Sequence, residues 1–158
     1  MLCPGKPDDP VQLIDARDLA DFAVLALERK LVGPYNVDSP AGALSIGKLL
    51  EACRRLLNPK ARLTWVPADF LARQKVAAWS ELPVWMPARG DDAGFGRVSC
   101  AKAIAEGLKF RPLEATVKDT LAWFESQSED RSAELRAGLA SRREQELLAA
   151  FHAGASAR

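Results

Sequence analysis

The chain has 158 residues but a single histidine, a single tyrosine, three cysteines and a formal net charge of +1. Each scarcity argues against a class of function. Without a basic surplus no face is marked out for neutralising phosphates, so nucleic acid is not an expected partner. Arg54-Arg55 and Arg142-Arg143 fall within helical patterns, where they suit solvated flanks. Cys3, Cys53 and Cys100 are odd in number, widely spaced and free of any Cys-x-x-Cys. That fits reduced thiols in a cytosol better than a disulfide framework, and no ligand spacing supports a metal site. The longest uninterrupted apolar run, residues 22–27, is too short for a membrane span, and the opening MLCPGKPDDP lacks a signal peptide's apolar region. A cytoplasmic protein with no membrane partner is the expectation. His152 falls near the end of the last helical pattern, where the sequence supplies no partner for general-base work.

What is present is ordinary in bulk, 48% apolar and 27% charged residues, and long enough to bury a core without disulfides or metal. Organisation centres on residues 10–20. Val11 and Leu13 with Gln12 between them read as a strand over 11–14 that runs directly into a helix. Asp15 is its expected N-cap, Asp18 follows three positions on, and Arg17 shares the corner. Residues 1–10, with three prolines, read as an irregular lead-in. Leu19, Phe22, Ala23, Ala26 and Leu27 form an apolar stripe that Gly33-Pro34 should stop. After a short extended piece at Tyr35-Asn36-Val37 and a turn over 38–42, Ser45 should cap the clearest helix in the chain. That helix carries Ile46, Leu49, Leu50, Cys53, Leu56 and Leu57 before Asn58-Pro59.

Residues 63–66 alternate as a strand, and Pro67 suits the first turn of a helix bearing Phe70 and Leu71. Residues 79–96 make a long loop whose Trp79 and Trp85 either wall an apolar pocket or anchor the loop to the core. Gly94-Phe95-Gly96 is an incomplete phosphate-loop signal, lacking a third glycine and a preceding strand. Ser99 should cap a short helix through Glu106, with Gly107 ending it and 108–112 extended. Val117, Thr120, Leu121 and Phe124 stripe the next helix, 126–132 reads as a polar linker, and Ser141 with Glu144 form a capping box for a last helix carrying Leu147, Leu148 and Phe151.

The order strand, DARDLADFAVLALE, GPYNVDSP, LSIGKLLEACRRLL, LTWV and AIAEGLKFRPLEATVKDTLAWF resembles the C-terminal half of extended short-chain dehydrogenase/reductases, the NAD-dependent epimerase/dehydratase type. The likeness covers residues 4–152 and rests on the succession of elements. It implies an α/β protein, α+β as an isolated chain: a mostly helical substrate-binding lobe with a few short strands. Its expected division is 1–10 lead-in, 11–127 substrate-binding lobe, and 128–158 linker and C-terminal helix. In that family Met1 would fall mid-chain. The family's chemistry uses a glycine-rich loop for the dinucleotide and a tyrosine with a lysine four residues on. Here Tyr35 is followed at that spacing by Ser39, and no Gly-x-x-Gly-x-x-Gly follows a strand. The resemblance therefore implies a substrate-binding portion with no catalytic residues and no cofactor bound by this chain alone, NAD(P) belonging to the parent family. Gln12, Arg17, Trp79, Trp85 and Arg97 are its candidate substrate contacts, the arginines for a carboxylate or phosphate. A small-molecule substrate, a nucleotide-binding Rossmann half or a second copy are the partners it suggests, the last through an unpaired edge at 11–14. A non-catalytic interaction module and a sugar-nucleotide-type binding protein are the alternatives.

Overall fold

The computed structural model describes residues 1–128 and 137–156. Among the described residues the sheet is a parallel pair, β1 (Leu2–Pro4) beside β2 (Thr64–Val66), with Leu2 opposite Thr64 and Pro4 opposite Val66. The helices are α1 (Ala16–Glu28), α2 (Ile46–Leu57), α3 (Ala68–Arg73), α4 (Ala101–Ala105), α5 (Leu113–Glu125) and α6 (Ser141–Ser156), with a 3-10 turn at Gly90–Asp92. The class is thus mixed, largely helical with short strands. Part of the expected 126–132 linker, residues 129–132, lies outside the described residues.

The lead-in is more ordered than its composition predicts. All three residues of β1 are buried. Burial pushes the Cys3 thiol up to about 11. The chain then turns at Gly5, whose φ of +67° and close approach to Asp9 and Trp85 leave no room for a side chain. Asp9 Oδ2 accepts from Lys6 N at 3.1 Å and from the Trp85 indole at 2.9 Å. The same segment helps to satisfy the start of α2, Ile46 N donating to Asp9 O and Gly47 N to Pro7 O, while Lys48 N donates to the cap hydroxyl of Ser45. A Cβ on Gly47 would stand 2.6 Å from Pro7 O, so the close contact itself requires glycine.

Residues 11–14 do not form the expected strand. Pro10 makes one isolated antiparallel bridge to Ser45, and beyond it the backbone is met by side chains, with Leu13 N donating to Ser39 Oγ at 3.3 Å. Without a strand there, the expected unpaired edge at 11–14 is absent too. Nor do 35–37 pair with another strand.

Three helix ends follow one device. α1 stops four residues before Gly33, at Arg29, because Lys30 takes φ +54° while Lys30 N and Leu31 N donate to Leu27 O and Ala26 O. Lys75 repeats this after α3 at φ +56°, and Gly107 after α4 at φ +104°. These are left-handed closures in which the next apolar residue folds back onto the last turn.

Two apolar clusters result. Leu2, Val11, Ile46, Val66, Leu71, Leu82, Trp85 and Leu147 make the larger, which joins the sheet to α2, α3, the 79–96 loop and α6. Phe22, Ala103 and Leu108 make the smaller, with Tyr35 edge-on to Phe22. Cys53, on the apolar stripe of α2, is half-buried beside a surface cleft with Leu57 and Leu148. The Glu144 carboxylate reaches across to β1 and accepts from Leu2 N at 2.6 Å, tying α6 to the sheet.

Candidate functional site

Three chain segments meet at Gln12. Its Nε2 donates to Ser39 O at 2.6 Å and Val98 O at 2.9 Å, and its Oε1 accepts from Val98 N at 2.7 Å. Both amide donors are consumed, leaving one acceptor lone pair. Gly96 belongs to the same junction, since a Cβ there would stand 2.5 Å from Pro10 O. Ser39 is further fixed by donating its N–H to Asp38 Oδ1, whose carboxyl burial pushes upward.

Immediately downstream, Asp15 and Asp18 are the buried charged residues among those described, each 8% exposed. Asp15 does cap α1, accepting from Arg17 N at 2.9 Å, and it also takes Arg17 Nε, Arg17 Nη2 and Thr116 Oγ1. The Arg17 hydrogen bonds hold its carboxyl well below the ordinary carboxylate range, and the same contacts hold Arg17 high. Arg17 Nη1 continues to Asp119 at 2.6 Å. Asp18 does not close a capping box. It is turned to Arg111, which gives it the backbone N–H at 2.9 Å and Nε at 2.6 Å, and Arg111 also reaches Asp21 and Asp15. Charge that sequence proximity placed in one corner is thereby cross-linked to α5 and the segment before it.

Two clefts open on this corner. One of about 210 Å³ is lined by Leu13, Ser39, Phe110, Arg111 and Thr116 over the two buried carboxylates. The other, about 580 Å³, runs over Arg17 toward Asp119 and Trp123. Of the five expected contacts, Gln12 and Arg17 stand at the corner, both committed to intramolecular bonds. Gln12, Trp79, Trp85 and Arg97 line neither cleft. Trp85 is 2% exposed, its indole N–H spent on Asp9, which is the core-anchoring outcome for a large aromatic. Trp79 is half exposed, held at φ +68° and edge-on to Phe95 at 5.0 Å. Arg97 is exposed, and its guanidinium has no ion pair among the described residues. Arg111, Thr116 and Asp119 went unread because their partners lie 90 or more residues away.

The residues present do not fit a dinucleotide. Gly96, the second glycine of the incomplete phosphate loop, is required by its contact with the chain's own Pro10 carbonyl, and β1 leads into a tight turn where a nucleotide fold has a helix. Tyr35 does meet a lysine, but Lys102 Nζ stands 3.9 Å over the ring face and donates to Pro34 O, positions that serve packing. Among the described residues no cluster of histidine, cysteine or carboxylates could hold a metal ion, and no helix is long and apolar enough to cross a membrane. No family model, no curated protein and no solved structure matches this chain.

Proposed function

We propose that this chain is the substrate-binding portion of an NAD(P)-dependent reductase or epimerase of the extended short-chain type, acting with a separate nucleotide-binding half and transferring no hydride by itself. The observation that carries the reading is the junction at Gln12, which fixes residues 12, 39 and 98 to one another beside a small cleft that Leu13 and Ser39 help to line, with apolar walls and an Asp18–Arg111 floor. Sites of this kind, mostly apolar with a few fixed polar groups, orient small polar ligands. Leu44 and Phe110 would exclude water, Arg111 would donate to the ligand's oxygens, and Thr116, whose proton goes to Asp15, would accept from a ligand hydroxyl. In this reading Gln12 is a positioning residue, and the exposed Arg97, outside the cleft lining, is available to a carboxylate or phosphate that extends beyond it.

Thermal unfolding with a panel of sugar nucleotides and with NAD(P)H tests it. A sugar nucleotide at about a hundred times its dissociation constant should stabilise the chain by about 2.7 kcal/mol, while NAD(P)H leaves it unchanged. Gln12→Ala should abolish the ligand effect. Nicotinamide oxidation by the purified chain, or stabilisation by NAD(P)H alone, would overturn the proposal.

A further inference from the structure

The solvent face of α1 is made of the wrong residues for solvent. At about 100° per residue, Phe22, Leu25 and Ala26 turn inward, while Ala16, Leu19, Ala20, Ala23, Val24 and Leu27 share the outward face. All six are exposed, Leu27 to 80% and Val24 to 55%. Charge is displaced to one flank, carrying Arg17, Asp21 and Glu28. Beside the start of the helix, Trp123 of α5, 56% exposed, borders a cleft with Ala16 and extends the apolar surface. A helix apolar on both faces is a helix with two partners. The described residues supply one.

We propose that the outward face of α1 is a dimer interface, occupied by α1 of a second copy running antiparallel about a two-fold axis near Ala23. The electrostatics select this occupant. The N-terminal end of the face adjoins four carboxylates, Asp15, Asp18, Asp21 and Asp119, against two guanidiniums, Arg17 and Arg111. The C-terminal end carries Glu28, Arg29 and Lys30, and the Lys30 ammonium has no ion pair among the described residues. An antiparallel two-fold sets each net-negative end against the net-positive end of the other copy and opposes the two helix dipoles favourably. It also brings the same flank of both helices together, so Glu28 of one copy faces Arg17 of the other, which retains two N–H donors beyond those given to Asp15 and Asp119. The small side chains of Ala16, Ala20 and Ala23 let the backbones approach, and Leu19 then packs against Leu27 of the other copy. The interface is independent of any ligand reading.

Sedimentation equilibrium of the whole chain should give a mass twice that of one chain, falling with added salt. Val24→Glu, an exposed change that should leave the circular dichroism and melting temperature of the monomer intact, should abolish the dimer. In a Cys53→Ser background, Ala23→Cys should oxidise to a covalent dimer because the two-fold brings residue 23 against its own copy. Leu27→Cys, which faces Leu19, should not. A monomer at every concentration, a dimer that survives Val24→Glu, or equal oxidation at both positions would overturn the proposal.

Discussion

Arg111 holds Asp18 by two groups at once, its backbone N–H at 2.9 Å and its Nε at 2.6 Å, although the residues are 93 apart in sequence. With Asp18 8% exposed and the Arg111 side chain 23%, this pair is largely removed from water. Asp18→Asn should therefore cost about 1–3 kcal/mol by weakening two charge-assisted hydrogen bonds, Asp15 and Asp21 still compensating the guanidinium. Arg111→Lys should cost less but not nothing, since an ammonium cannot reproduce the planar fork. Urea unfolding measures both, and an unchanged midpoint for Asp18→Asn would refute a structural role for the pair.

Asp15 gives the stability a pH signature. Its folded-state carboxyl is held below the unfolded value, chiefly by the Arg17 hydrogen bonds, so its contribution is complete above the unfolded value near 4 and is lost as pH falls toward the folded one. Stability should decline below about pH 4, and Asp15→Asn should flatten that decline while lowering stability at neutral pH. Denaturant midpoints from pH 7 down to 2 test the sign: an equally steep acid decline in the variant would locate the titrating group elsewhere.

The Gln12 junction separates donor from acceptor roles. Gln12→Glu keeps an oxygen for Val98 N but removes both N–H donations, to Ser39 O and Val98 O. Loss of those two bonds should cost about 1–3 kcal/mol and free residues 97–98. Amide exchange at Val98 should accelerate in Gln12→Ala by more than in Gln12→Glu; equal protection in both would mean that the loop is held by other contacts.

Lys30 and Lys75 occupy left-handed positions where a side chain is strained. Lys30→Gly and Lys75→Gly should each stabilise the chain by about 1 kcal/mol. A melting temperature that falls in both would show that the lysine side chains contribute more than their backbone strain costs.

Helices were legible where the signal is local. Ser45 followed by a regular apolar period fixes α2 at both ends, and Asp15 fixes the start of α1. The end of α1 was not legible, because Lys30 gives no sign of the left-handed turn that Gly33 advertises. Residues 11–14 alternate like a strand, yet after Val11 N, which meets Leu44 O, the partner is the Ser39 hydroxyl at Leu13 N, which periodicity does not encode. β1 was invisible for the complementary reason: two apolar residues just before a proline become a strand once β2 lies alongside. At the candidate site the Asp15, Asp18 and Arg17 corner was readable from capping chemistry, whereas Arg111 and Thr116, which convert it into a cross-link, come from a distant segment. Of the two roles open to Trp85, pocket wall or core anchor, the structure has the second, its indole bonded to Asp9.

The bond from Leu2 N to Glu144 has a temporal consequence. During synthesis β1 leaves the ribosome long before residue 144 has been joined to the chain, and Leu2 must wait for the cover of Leu147 while more than 140 residues are added. Closure of so long a loop is slow, and an exposed Leu2-Cys3 pair is open to capture by other chains meanwhile. Linking the two ends so that α6 is made first would shorten that wait.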